Sequence, residues 1–302
     1  MEHVWRTGPE IEMKLGIIGG SGLYDIADLQ NTSEVVLETP FGSPSDAYLS
    51  GTLMGTQIVF LPRHGRGHRY LPSEINYRAN IFGFKRLGVD AILSFSAVGS
   101  LREDIAPRDV VLPSQFFDRT KQNHTFFGDG IVAHIPFGDP VCLHAHSILR
   151  NLAPDILTAK SGGNSSVHSG GTYVNMEGPA FSTRAESETY RKLGFDVIGM
   201  TSLPEAKLCR EAGICYGPVA LVTDYDCWHQ SEEVVNVEMV VQNVHANIEF
   251  AKSLLMNFAA NIRERPECEC KRALDGAVMT ATNKIPEKTS NRLSLILSRK
   301  QV

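Results

Sequence analysis

The sequence predicts an α/β fold, a helix-covered sheet whose strand ends gather along one edge. One pattern that recurs three times carries the prediction. A helical stretch closes on a glycine, a short apolar strand follows, and a small polar tip ends it. It runs from Gly88 to Ser96 and Ala97, from Gly194 to Met200 and Thr201, and from Gly213 to Asp224. Glycine suits the position just past a helix end because left-handed backbone costs it nothing. Strands entered from helices belong to layered sheets, which bind ligands beyond the carboxyl ends of their strands.

The first element is a strand at Leu15–Ile18 that runs into Gly19, Gly20, Ser21 and Gly22. Bare N–H groups in such a turn can wrap an anion, with the Ser21 hydroxyl as a further donor. A dinucleotide fingerprint would need a third glycine where Asp25 stands, and a helix that the residues after Tyr24 do not favour. A plain tight turn remains open at this motif. A second strand, Ile58–Leu61, delivers Arg63 and His64. Arg63 has the fork to grip an oxyanion bidentately, and His64 adds a donor. His64 and His68 have the spacing of zinc ligands on a helix, but Gly65 and Gly67 make that helix unfavourable. A loose basic loop is the bland alternative.

Helices are predicted at Ser73–Leu87, Thr183–Leu193, Pro204–Ala212 and residues 235–263. Thr183 and Glu186 fit a capping box, and Pro204 fits a first turn. The last helix carries apolar residues at 237, 240, 241, 244, 248 and 251, a one-sided stripe. Ser161–Gly171 reads as a surface loop. The run from Met13 resembles a natural start, so residues 1–13 are expected to be an extension. One domain spans 14–272, and 273–302 are expected to form a short helix and a mobile tail.

Composition narrows the partners. A net charge of −5 argues against nucleic acid or an anionic membrane as the main partner. No stretch approaches the ~18 apolar residues of a span, and no signal-peptide core stands at the N-terminus, so the expected location is cytoplasmic. Six cysteines are too sparse for a disulfide scaffold, and no Cys-x-x-Cys pair suggests zinc. Cys268 and Cys270 are expected as reduced thiols on a surface segment, with a redox pair as the alternative.

The chemistry concentrates at the predicted strand tips. The run 213–228 ends in Asp224 and Asp226, spaced i, i+2. Two acids there can accept hydrogen bonds from a ligand rich in N–H groups, and one can donate a proton. From this segment alone an Asx-type turn explains them equally well. Ser96 and Thr201 add hydroxyls, though each alone fits a cap or turn. Together Ser21, Arg63, His64, Ser96 and Thr201 suit phosphate, while Asp224 and Asp226 form an anionic cluster for a basic heterocycle. That layout fits phosphorolysis of a nucleoside.

At this point a run of motifs closely resembles the 5′-methylthioadenosine phosphorylases of the trimeric purine nucleoside phosphorylase superfamily. They are Gly-Ile-Ile-Gly-Gly-Ser-Gly-Leu at 16–23, Thr-Pro-Phe-Gly-Ser-Pro-Ser-Asp at 39–46, Arg-His-Gly-Arg at 63–66 and Asn-Tyr-Arg-Ala-Asn at 76–80. Gly-Ser-Leu-Arg-Glu follows at 99–103 and Glu-Gly-Pro-Ala-Phe-Ser-Thr-Arg-Ala-Glu at 177–186. Met-Thr-Ser-Leu-Pro-Glu at 200–205 and Thr-Asp-Tyr-Asp-Cys-Trp at 223–228 complete the set, which covers residues 14 to 262.

The resemblance implies a central mixed β-sheet flanked by helices, assembled as a homo-oligomer, a trimer or a dimer of trimers. It implies phosphate on Ser21, Arg63, His64, Ser96 and Thr201, and ribose beside Ala97 and Met200. Phe181 would pack on the purine with Ser182 near the base. Val237 and Val241 would face the 5′ substituent, and His134 would reach a neighbouring subunit's site. Asp224 would address purine N7 and Asp226 the 6-amino group. Many relatives carry Thr at positions 21 and 96, where Ser keeps the hydroxyl. The Cys-x-Cys tail looks like that of archaeal-type members, where it can be oxidised. No metal or organic cofactor is implied, inorganic phosphate being a co-substrate.

Purine leaves poorly as an anion, so Asp224, its pKa raised by burial and by Asp226, is the expected general acid. A carboxylate facing position 6 repels O6 and accepts from an amino group, which favours adenine over 6-oxopurines. The rivals are a 6-oxopurine nucleoside phosphorylase, where Asn stands in place of Asp224, and a non-catalytic nucleoside-binding protein.

Overall fold

A computed structural model describes residues 13–20, 23, 29–229, 237–262 and 268–298, with the backbone alone for 237–242 and 244–246. The spine of its sheet is a parallel pair, β5 (Ala91–Ser100) and β11 (Cys215–Asp224), in register from Ala91↔Cys215 to Gly99↔Asp224. Every residue of β11 is buried, as expected for a strand covered on both faces. On the other edge of β5, β1 (Lys14–Gly19) pairs parallel, and β4 (Thr56–Pro62) lies parallel beyond it. Antiparallel strands β3 (Tyr48–Leu53) and β2 (Gln30–Val35) finish that side. The opposite arm runs through β10 (Val197–Gly199), β9 (Thr172–Met176) and β7 (Gln115–Arg119), while β6 (Val110–Leu112) and β8 (Val167–Ser169) extend from β11. The sheet is mixed, as expected.

Helices cover both faces. On one, α2 (Leu143–Ser161) and α5 (Val237–Asn261) bury Leu149, Ala153, Phe250 and Leu254 against Leu15, Ile17, Leu93 and Val219. On the other, α1 (Tyr77–Arg86), α4 (Ser202–Ala212) and α6 (Glu287–Leu297) bury Ile81, Leu208 and Leu293 against Ile18, Ile92 and Tyr216. The alternation of Leu15 and Ile17 against Ile18 is the two-residue period of a strand between two layers. Helix α3 (Arg184–Lys192) starts at the expected capping box, with Thr183 accepting from the Glu186 N–H. Gly213 closes α4 in left-handed backbone at φ 66°, as Gly88 and Gly194 do after α1 and α3.

Several readings change or sharpen. Helix α1 begins at Tyr77, not Ser73, because Asn76 caps it by accepting from the Ala79 N–H and residues 72–74 form a separate 3-10 turn. Helix α2 was not expected, and β8 lies inside the stretch read as a surface loop. The short helix expected near the C-terminus is α6, and it is packed onto the body, since Leu293 and Ile296 are buried and Thr289 donates to the Asp129 carbonyl. Cys270 is buried and Cys268 half-buried, so their segment is no simple surface strip. Among the described residues, no helix is long and apolar enough to cross a membrane.

Candidate active site

Strand direction makes the site. Strand β11 occupies one edge of β5 from Ala91 to Gly99. On the other edge β1 stops opposite Ser94, and β10 arrives from the opposite direction to pair only with Gly99 and Ser100. Phe95–Val98 are left without a strand neighbour there, and Ala97 is the one fully exposed residue of β5. The tip of β10 therefore meets the middle of β5, whereas the sequence placed all three tips along one edge. Beside the notch between β1 and β10 lie Arg63, Ser96, Ala97 and Thr201.

At its anionic-ligand end, Arg63 follows β4 and donates its backbone N–H to the Gly19 carbonyl (3.1 Å). Its side chain is buried, and the fork expected to grip an oxyanion closes on Glu205, with Nε to Oε1 at 2.6 Å and Nη2 to Oε2 at 3.3 Å. Nη2 also donates to the Ser94 hydroxyl (2.7 Å), and Nη1 to the Phe95 carbonyl (2.8 Å), a group left unpaired by the notch. Burial disfavours the guanidinium charge, but Glu205 outweighs it and holds the pKa above its usual value. Ser94 and Tyr216 hydroxyls complete the Glu205 carboxylate at 2.6 and 2.9 Å. Glu205 was missed as a site residue, although the motif at 200–205 contains it.

Ser96 and Ser202 hydroxyls meet at 3.2 Å. Thr201 occupies the N-cap of α4, as the bland reading has it, but its hydroxyl makes no capping bond. In the first turn of α4 the Leu203 N–H is taken by the Asn175 side-chain oxygen (3.0 Å) and Pro204 has none, so the hydroxyls are the donors this turn offers. Ser21 lies outside the described residues.

His64 is buried, with Nδ1 2.9 Å from the Tyr70 carbonyl. A carbonyl only accepts, so Nδ1 carries hydrogen and Nε2 of the neutral ring is an acceptor, not the donor expected. Burial first, then Arg63, push its pKa down to about 4. At the far end of α4, Glu211 is pushed up to about 7 by burial, against hydrogen bonds from the Thr125 hydroxyl and Phe126 N–H.

These two groups oppose each other in pH dependence. The unfolded state binds the His64 proton between pH 6.5 and about 4, so that group makes stability rise with pH in this window, by about 3 kcal/mol overall. The folded state holds the Glu211 proton between pH 4.5 and about 7, so that group makes stability fall with pH. Denaturant melts from pH 4.5 to 6.5 should therefore slope upward with pH in Glu211→Gln and downward in His64→Asn, relative to the parent protein. Equal slopes in all three would mean that neither group is shifted.

At the other end, Asp224 closes β11, with Oδ2 accepting from the Thr223 hydroxyl (2.7 Å) and Oδ1 from the Asp226 N–H (2.8 Å). Asp226 sits at φ 54°, a left-handed position that strains a non-glycine residue. Burial raises its pKa, offset in part by the facing Ser187 and Ser182 hydroxyls. Its Oδ2 is nonetheless buried without a hydrogen-bond partner, as is the Ser187 hydroxyl. A buried acceptor without a partner calls for one, which the N–H of a ligand can supply. Phe181, half-exposed, and Ser182 belong to the loop that covers this end, where the Cys227 thiol donates to the Ser182 carbonyl (3.2 Å). Met200 lies between β10 and Thr201.

Gly99 is the floor beneath both acids. A Cβ there would stand 2.9 Å from Asp224 Oδ1 and 3.3 Å from the Asp226 Cβ. Gly99→Ala should displace the pair and lower turnover by about 10²-fold while the protein stays folded. Unchanged kinetics would mean that the position of the acids does not matter.

Val237 and Val241 lie in the first turns of α5, but their side chains are outside the described residues. His134 is exposed and donates its N–H to the Ala277 carbonyl (2.9 Å). Its loop is bonded through Pro136 and Asp139 to Arg210, at the end of α4 opposite Thr201. The structure does not bring it to its own chain's notch.

The strand ends thus hold hydroxyls and Arg63 beside the middle of β5 and two buried carboxylates beside Gly99, and residues 14–260 match the family model described as the phosphorylase superfamily. The S-methyl-5′-thioadenosine phosphorylase of Geobacter sulfurreducens is 53% identical over 95% of this chain and 99% of its own. That of Gloeobacter violaceus is 51% identical over 95% of this chain and 96% of its own. Among solved structures, a methylthioadenosine phosphorylase from an antarctic soil metagenomic library superposes with a TM-score of 0.88 at 44% identity, covering 95% of this chain and 99% of that one. The Schistosoma mansoni enzyme in complex with adenine gives 0.78 at 36% identity, covering 96% and 99%. This chain belongs to the methylthioadenosine phosphorylase family of that superfamily.

Proposed function

We propose that the chain catalyses phosphorolysis of 5′-methylthioadenosine to adenine and 5-methylthioribose 1-phosphate. The observation that carries the reading is the two-ended notch, hydroxyls and Arg63 on one side of Ala97 and buried carboxylates on the other. Phosphate is taken at Ser21, Arg63, His64, Ser96 and Thr201, where its negative charge sits below the sugar as the N9–C1′ bond breaks. A phosphate oxygen bonds to C1′, and the bonding pair leaves with the purine. Asp224 faces N7, which gains a proton or a strong hydrogen bond as charge builds on the base. The unmet Oδ2 of Asp226 receives the 6-amino N–H. Because Nε2 of neutral His64 is an acceptor, it is matched to a protonated phosphate oxygen.

Ala97 and Met200 contact ribose, Phe181 stacks on the purine beside Ser182, and Val237 and Val241 bury the methylthio group. A methyl-sized group gains about 1 kcal/mol there over adenosine's wetter substituent. His134 completes a neighbouring subunit's site in a trimer or dimer of trimers. The enzyme works in the cytoplasm without a reaction cofactor. Incubation with 5′-methylthioadenosine should release adenine only when phosphate is present. Release without phosphate would mark a hydrolase, and no release a binding protein.

A further inference from the structure

Four cysteines far apart in sequence meet at the end of the sheet opposite the notch. Cys142 is the N-cap of α2, Cys215 opens β11, and Cys268 and Cys270 come from the 3-10 turn after α5. Their sulfurs all lie within 4.8 Å of one another, with Cys215 and Cys268 at 3.2 Å. We propose that Cys142, Cys215, Cys268 and Cys270 form a four-thiolate structural site for a zinc ion. A tetrahedron with Zn–S bonds of about 2.3 Å has S···S edges of about 3.8 Å, wider than the Cys215–Cys268 approach and inside the 4.8 Å that bounds every pair. Cys142, Cys215 and Cys270 are buried and Cys268 half-buried, so the site is closed, as structural sites are.

The surroundings suit thiolates. Cys142 stands at the N-terminus of α2, where the positive end of the helix dipole favours the charge of a thiolate. Disulfides would need the sulfurs only in pairs, whereas here each of the four approaches the other three. The Cys-x-Cys spacing hides the site from sequence reading because the other two ligands are over 50 residues upstream.

The metal takes no part in the reaction. Cys215 and Asp224 are the two ends of β11, roughly 30 Å apart at about 3.3 Å per residue. Its work is to clamp the C-terminal segment to the sheet, where Lys271 already lies against Gly213. Binding exchanges up to four S–H protons for four Zn–S bonds, with no oxidation.

The test uses the full chain purified under reducing conditions from zinc-containing medium. Metal analysis and native mass spectrometry should give about one zinc per chain. Zinc should be released by a mercurial thiol reagent, and cobalt exchange should give the visible bands of a tetrahedral thiolate complex. The Cys268→Ser, Cys270→Ser double variant should lose the zinc and melt at lower temperature, with phosphate-dependent turnover retained. Zinc kept by that variant would overturn the site, as would metal-free wild-type protein that takes up neither zinc nor cobalt. A mass two hydrogens lower per pair, with fewer than six titratable thiols, would assign disulfides instead. If the double variant does not fold, the wild-type stoichiometry and cobalt spectrum still decide.

Discussion

Asp224→Asn is expected to lower kcat/KM for 5′-methylthioadenosine by about 10²–10⁴-fold, the worth of a positioned proton donor. The substitution keeps shape and burial. Its amide oxygen can still accept from the Asp226 N–H, and its amino group can turn to the Thr223 hydroxyl, which accepts as readily as it donates. What it removes is the ionisable proton and one acceptor. Purine N7 then receives at most a neutral hydrogen bond. The same exchange puts an amide N–H donor at N7, next to position 6, where a neighbouring O6 can also accept from it, so inosine should lose far less than methylthioadenosine. The check is kcat/KM for both nucleosides in both proteins, with thermal melts to show that folding is intact. An unchanged ratio would remove Asp224 from base recognition. A fall shared by both substrates with no change in ratio would leave it a proton donor only.

Much of this was legible locally. Strands β1, β4, β5, β10 and β11 declared themselves as short apolar runs, three of them entered from a helix-ending glycine. The Thr183 and Glu186 capping box marked α3. Helix α2 carries a full apolar stripe, Ala145, Ile148, Leu149, Leu152, Ala153, Ile156 and Leu157, so what hid it was its boundaries rather than its pattern. Pro154 inside the helix and the lack of a side-chain N-cap removed the usual punctuation.

The site was legible as a set of residues but not as an arrangement. A strand's direction leaves no mark in its own sequence, so nothing foretold that β10 would run against β5 and open the notch at Phe95–Val98. Long-range partners were equally invisible. Arg63 and Glu205 are 142 positions apart, and each alone reads as a surface charge. The four clustered cysteines are separated in the same way. The positions of Ser21, Val237 and Val241 still rest on sequence, and their side chains fall outside the described residues.

The Arg63–Glu205 pair is where structure most changes the chemical expectation, and it gives the largest stability effect. Both side chains are almost fully buried at 2.6 Å, and the carboxylate is further held by Ser94 and Tyr216. Removing one partner strands the other charge in a low-dielectric interior, at a typical cost of about 3–5 kcal/mol. Glu205→Ala should therefore unfold at markedly lower denaturant. Its surviving molecules should show a raised KM for phosphate, because Arg63 loses the bond that aims it past Ser94 and Phe95. Arg63→Ala should raise the phosphate KM further, and the double Arg63→Ala, Glu205→Ala variant should be less destabilised than the sum of the single changes. Additive losses would mean that the two residues stabilise the fold independently. If the nucleoside KM moved and the phosphate KM did not, the anion would lie elsewhere in the notch, and Glu205 would be holding Arg63 for the sake of the β5 carbonyl alone.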